Sequence, residues 1–135
     1  MKNIVKNSVF AFALSLVIVA CGGESPKDAT TNFYEALKKG DVATYHKYTT
    51  PTTQSLMNLS FAMMCFDKDL KNEKELSDCM KRSFENLKEY KITNVEENDG
   101  KALVNVEEIH KDGNIKKANF DLIKDEKNWK INIKK

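Results

Sequence analysis

Two prolines and five glycines in 135 residues leave little room for a long flexible linker. An excess of charge of either sign is also missing. The 22 Lys and Arg stand against 20 Asp and Glu, so no strong field invites nucleic acid. Histidine occurs only twice, and His46 and His110 fall in different expected elements without paired spacing, so neither a metal site nor a cofactor is expected. No apolar run reaches the roughly 20 residues that a membrane-spanning helix needs. What is there, 41% apolar and 31% charged residues, suits one small globular domain.

The longest apolar run, Val9 to Ala20, reads VFAFALSLVIVA and follows the basic Lys2 and Lys6. Its length and flanks fit a secretory signal. It ends in Ile18-Val19-Ala20-Cys21, which resembles the lipobox of bacterial lipoproteins. That resemblance implies diacylglyceryl transfer to the Cys21 thiol and cleavage after Ala20. Residues 1–20 are then a signal, 21–25 a lipidated tether and 26–135 a single domain. Two or more acyl chains would hold that domain on the membrane stably. In Gram-negative sorting, Gly22 rather than Asp after the lipidated Cys favours the outer membrane and its periplasmic face. Without residues 1–20 the chain carries 20 basic and 20 acidic side chains, divided 10 to 11 over residues 22–89 and 10 to 9 over residues 90–135. No stretch reads as an electrostatic funnel for phosphate.

Ser25-Pro26 predicts a helix start, with Ser as N-cap and Pro at the first position. Ala29, Phe33 and Leu37 form its apolar stripe, and Gly40 stops it after Lys38 and Lys39. Asp41 opens a second, short helix with Val42 and Tyr45 inward. Thr50-Pro51 repeats the first start and predicts a third helix over about 51–66, with Leu56, Leu59 or Ser60, Met63 and Met64 as its stripe. Asn72 and Glu75 open a fourth over 73–89, whose apolar face is Leu76, Cys79 or Met80, Phe84 and Leu87. After Tyr90 the apolar period changes from 3.6 to 2. Ile92 and Val95 mark a first strand with a bulge between them. Asp99-Gly100 and Asp112-Gly113 are hairpin turns. Val104 and Val106, then Phe120 and Leu122, then Trp129 and Ile131 follow on three further strands. The expected fold is α+β, with N-terminal helices covering one apolar face of an antiparallel meander of about four strands.

The stretch Ser25-Pro26…Phe33-Tyr34-Glu35-Ala36-Leu37-Lys38-Lys39-Gly40-Asp41 resembles the start of small bacterial lipoproteins in a domain-of-unknown-function family. That family belongs to the cystatin-like, nuclear transport factor 2-like superfold. The resemblance implies a curved antiparallel sheet wrapped round a long helix. One departure stands out: the superfold often places a short strand between its second and third helices, and Tyr48 to Thr53 is too short and Pro-broken for one.

Cys65 and Cys79 are an even pair in an exported chain, on helices joined by a short connector, and a disulfide is the favoured reading over two free thiols or a metal site. No acid–base constellation can be assembled from spacing alone. Asp121 alternates to the solvent side, and His46 and His110 read as exposed. The candidate lining of a pocket over the apolar sheet face is Tyr34, Tyr45, Met64, Phe84, Val104, Val106, Phe120 and Trp129, with Tyr34, Tyr45 or Tyr90 as polar handles at its rim. These features favour an anchored, non-enzymatic domain that binds a small apolar ligand, a peptide or an envelope protein. An isomerase- or dehydratase-like enzyme of the same superfold and a structural or envelope-assembly accessory are the alternatives.

Overall fold

The computed structural model describes residues 24–65, 70 and 72–134. The expected signal, Cys21 and most of the connector after Cys65 lie outside the described residues. Four helices precede four strands: α1 (Pro26–Lys39), α2 (Val42–Lys47), α3 (Pro51–Met64), α4 (Glu73–Ser83), β1 (Leu87–Asn98), β2 (Lys101–His110), β3 (Ile115–Asp125) and β4 (Asn128–Ile131). The strands form an open antiparallel sheet in the order β1-β2-β3-β4.

Helix starts follow side-chain chemistry. Ser25 accepts from the Asp28 amide while Asp28 reaches back to the Ser25 amide, a complete capping box. Asp41 caps α2 by accepting from the amide and hydroxyl of Thr44, bonds that hold its carboxyl below the usual carboxylate range. Thr50 and Asn72 cap α3 and α4 in the same way. Gly40 ends α1 at φ 72°, a left-handed turn that favours glycine. It also admits close approach of α4, because Ser77 Oγ donates to the Gly40 carbonyl at 2.7 Å and a Cβ there would lie 2.6 Å from that oxygen.

The turns Asp99-Gly100 and Asp112-Gly113 join β1 to β2 and β2 to β3. A register shift between Ile92 and Asn94 inserts Thr93 as the expected bulge. On the helix side, Ala102, Val104, Val106, Leu122, Trp129 and Ile131 are buried against α1 residues Ala29, Phe33, Tyr34, Ala36 and Leu37. The segment between α2 and α3 contributes no strand, only a parallel bridge between Thr49 and Ile131. The Thr50 amide donates to the Ile131 carbonyl and the Ile131 amide to the Tyr48 carbonyl. Thr53 Oγ1 completes the seam by donating to the Ile131 carbonyl and accepting from the Ile133 amide.

Two sequence expectations need correction. The fourth helix ends at Ser83 rather than near residue 89, and Leu87 opens β1 opposite His110. Phe84 and Leu87 continue a helical stripe, but strand pairing and the Lys111 amide on the Asn86 carbonyl hold the backbone extended there. The expected stripe of α3 is not its buried face. Thr53 and Phe61 are buried, whereas Leu59, Met63 and Met64 are 61%, 70% and 54% exposed. Within the helix layer, α4 packs on α1 and α3.

Candidate functional site

Among the described residues, the apolar sheet face is filled. Tyr34, Tyr45, Val104, Val106 and Trp129 are at most 1% exposed, and Phe84 and Phe120 are half-buried against the same core. A run of rings closes the space a ligand would use. Phe33 meets Tyr34 and Phe120 edge-on at 5.8 Å, Tyr45 meets Phe61 at 6.3 Å, and Phe61 meets Phe84 at 6.4 Å. Met64 is not part of this assembly. It stands exposed at the end of α3, beside Cys65, Arg82 and Ser83 around an open cleft of about 310 Å³.

The phenols expected as handles at a rim are tied to neighbours. Tyr34 donates to Glu108 Oε2 at 2.5 Å, Tyr90 to Glu35 Oε2 at 2.6 Å, and Tyr45 to Asn58 Oδ1 at 2.9 Å. The Tyr34 and Tyr90 rings stack at 4.5 Å and 14°. His110 joins them, with Nε2 3.4 Å from Glu108 Oε1. It is therefore half-buried beside a carboxylate and not an exposed histidine, whereas His46 is exposed as expected. Glu108 is a residue that the sequence reading missed. The signal was present: it continues the Val104, Val106 alternation by two, so the pleat turns it towards α1.

Chemically this cluster is a phenol–carboxylate–imidazole relay with its bonds satisfied internally. Burial pushes the Tyr34 phenol far above its ordinary pKa, and the Glu108 carboxylate adds to the effect. Burial raises Tyr90 likewise, with Glu35 reinforcing it, and raises Tyr45. Phenols that keep their protons this tightly are poorly matched to acid–base work at neutral pH. A fourth phenol, Tyr48, donates to Glu24 at 2.7 Å and accepts from Asn32 at 3.1 Å, and is pushed up to about 12 chiefly by burial. This contact fastens Glu24, and with it the start of the domain, to the C-terminal end of α2.

Cys65 and Cys79 form a disulfide with Cα atoms 6.0 Å apart, tying the end of α3 to α4. Both thiols are therefore consumed, and no group of three metal-ligating side chains occurs among the described residues. On the sheet face away from the helices, Asn94 donates to Asn105 and Asn105 to Asn119, a ladder across three strands. Beside it Thr93, Glu107 and Lys117 line an open cleft of about 240 Å³. Another, of about 470 Å³, lies at the sheet end between Glu96, Lys101 and Asp121. The linings are mixed: Ala102 and Leu103 stand among the charged side chains of the larger cleft, and Val106 among the polar ones of the smaller.

A crystal structure from Campylobacter jejuni, described as an NTF2-like transpeptidase, is similar to this fold. The likeness covers 82% of this chain and all of that one, with a TM-score of 0.53 and 18% sequence identity. No curated protein matches the chain in sequence. The four helices and the open antiparallel sheet thus constitute an NTF2-like α+β fold. Residues 19–132 match a family described as Domain of unknown function (DUF4878), and the chain belongs to that family.

Proposed function

We propose that this protein is a lipid-anchored domain of the bacterial cell envelope that binds a partner through its surface and carries out no catalysis of its own. The observation that carries the binding reading is the filled apolar face: the side chains that would line an internal pocket pack against one another. The anchoring reading rests on the Ile18-Val19-Ala20-Cys21 motif and the apolar run before it. With Gly22 following Cys21, the periplasmic face of an outer membrane is the favoured address. The transpeptidase description belongs to the Campylobacter protein. Here both described cysteines are oxidised, and His110 is engaged by Glu108.

Two measurements test the two halves. Mass spectrometry of the native protein should find a chain beginning at an acylated Cys21, and Cys21→Ser should leave unprocessed precursor. A native chain beginning elsewhere without lipid rejects the anchor. Trp129 is the only Trp, so its emission reports on the core. Apolar probes should leave that emission unshifted while the protein stays folded. A saturable shift would restore the internal pocket and a small apolar ligand.

A further inference from the structure

β1 is an edge of the sheet: among the described residues it pairs with β2 and with no other strand. It is long, and from Lys91 onward only Ile92 is even half-buried. Such an edge is a template for another strand unless something blunts it. Neither proline nor glycine interrupts it, although the bulge at Thr93 twists it.

The bulge decides which partner fits. Pairing with β2 places Tyr90, Ile92, Val95 and Glu97 on the helix side, opposite Glu108, Val106, Val104 and Ala102. Lys91, Asn94 and Glu96 pair with Glu107, Asn105 and Leu103 and face away. β2 runs through without a bulge of its own, so the two sets keep one hydrogen-bond phase on both sides of Thr93. A second copy of β1, laid antiparallel about a two-fold axis, must bring helix-side residues opposite helix-side residues. Two registers spanning the bulge do so. One sets Glu89 opposite the partner's Glu96, twice, which repels. The other puts the axis between Thr93 and Asn94. It sets Lys91 opposite the partner's Glu96 on the outer face and Ile92 opposite the partner's Val95 on the helix side, each twice.

We propose that two copies of this chain associate edge to edge through β1 in the second register, which joins their sheets into one of eight strands. Charge and apolarity agree in that register. Lys91 and Glu96 have no ion-pair partner among the described residues, and Val95 is 37% exposed. The proposal rests on this edge alone and is independent of whether Cys21 is acylated. A single strand edge buries less than the roughly 1,200 Å² of a stable interface, so the dimer is weak and depends on concentration.

Sedimentation equilibrium of the full chain in neutral detergent, with micelles in excess, tests it. Dimers should form with a dissociation constant of about 10–500 µM. Lys91→Glu should weaken the dimer about tenfold, because one substitution turns two attractive pairs into repulsive ones. Glu96→Lys should do the same, and the double variant Lys91→Glu/Glu96→Lys should return to the parent affinity. Both positions are exposed, and Trp129 emission verifies that each variant is folded. A chain still monomeric at about 1 mM overturns the proposal. A dimer indifferent to the single substitutions, or one that the double variant fails to restore, overturns it equally.

Discussion

α1 and α3 begin alike and end differently. Each has 14 residues, and each opens with a capping hydroxyl followed by Pro. α1 buries seven of its residues, and α3 buries only Thr53 and Phe61. The difference lies in the stripe. In α1, Ala29, Phe33, Ala36 and Leu37 crowd one face, with Tyr34 beside them, and the sheet closes over them. In α3, Leu56, Leu59 and Met63 fall opposite Phe61, and no described residue buries Leu59 or Met63. Caps fix where a helix starts, but only a partner surface decides which face is the inside.

Substitutions can break or sharpen that contrast. Phe33→Ala in α1 and Trp129→Ala beneath it should each cost about 3–5 kcal/mol in denaturant unfolding, as truncations in a closed core. A loss below about 1 kcal/mol would mean that the α1 seam is looser than its burial implies. Reducing the disulfide should cost about 3 kcal/mol in the loop-closure account, given a sequence separation of 14. That loss should fall on the α3–α4 side, so Phe61 amide exchange should speed up before that of Phe33. Smallest of all, Met63→Ser should change stability by no more than about 0.5 kcal/mol. A larger loss would show that the exposed face of α3 is covered in solution.

A pH titration addresses the α1 side separately. All four tyrosines have phenols raised by burial. Their folded pKa values lie above the unfolded value of about 10, so the stability they contribute is fully present below that pH and lost as pH rises beyond it. For Tyr48 the loss runs from about 10 up to about 12. Absorbance at the tyrosinate band should therefore stay near zero for folded protein at a pH of about 10.5 and jump on unfolding. Tyr34 or Tyr90 titrating normally in the folded protein would contradict their burial and their contacts with Glu108 and Glu35.

Much of this architecture is legible in the sequence because local chemistry dictates it. Ser25-Pro26, Thr50-Pro51 and Gly40 mark helix ends through satisfied or missing backbone bonds, and Asp99-Gly100 and Asp112-Gly113 supply the backbone that tight turns require. Even the bulge near Thr93 is visible, since Ile92 and Val95 share a face at odd spacing. Long-range effects are not visible. Nothing near Phe84 announces that Leu87 leaves the helical stripe to pair with His110. Strand alternation marks the lining residues on the sheet, but whether they enclose space or fill it depends on ring-to-ring packing between elements far apart in the chain. The alternation marks the side of the sheet on which Glu108 lies, but not its partner, because Tyr34 lies 74 residues earlier.

The seam that holds Ile131 between β3 and Thr49 also sets a schedule. Trp129 and Ile131 arrive about a hundred residues after the helix they pack beneath. Until they arrive, Phe33, Leu37 and Val104 lack part of their cover, even with β1, β2 and β3 paired. Closure of such sequence-distant contacts slows folding, because the loop must be drawn in before its contacts reward it. The chain should therefore remain open, and accessible to chaperones or proteases, until β4 is in place.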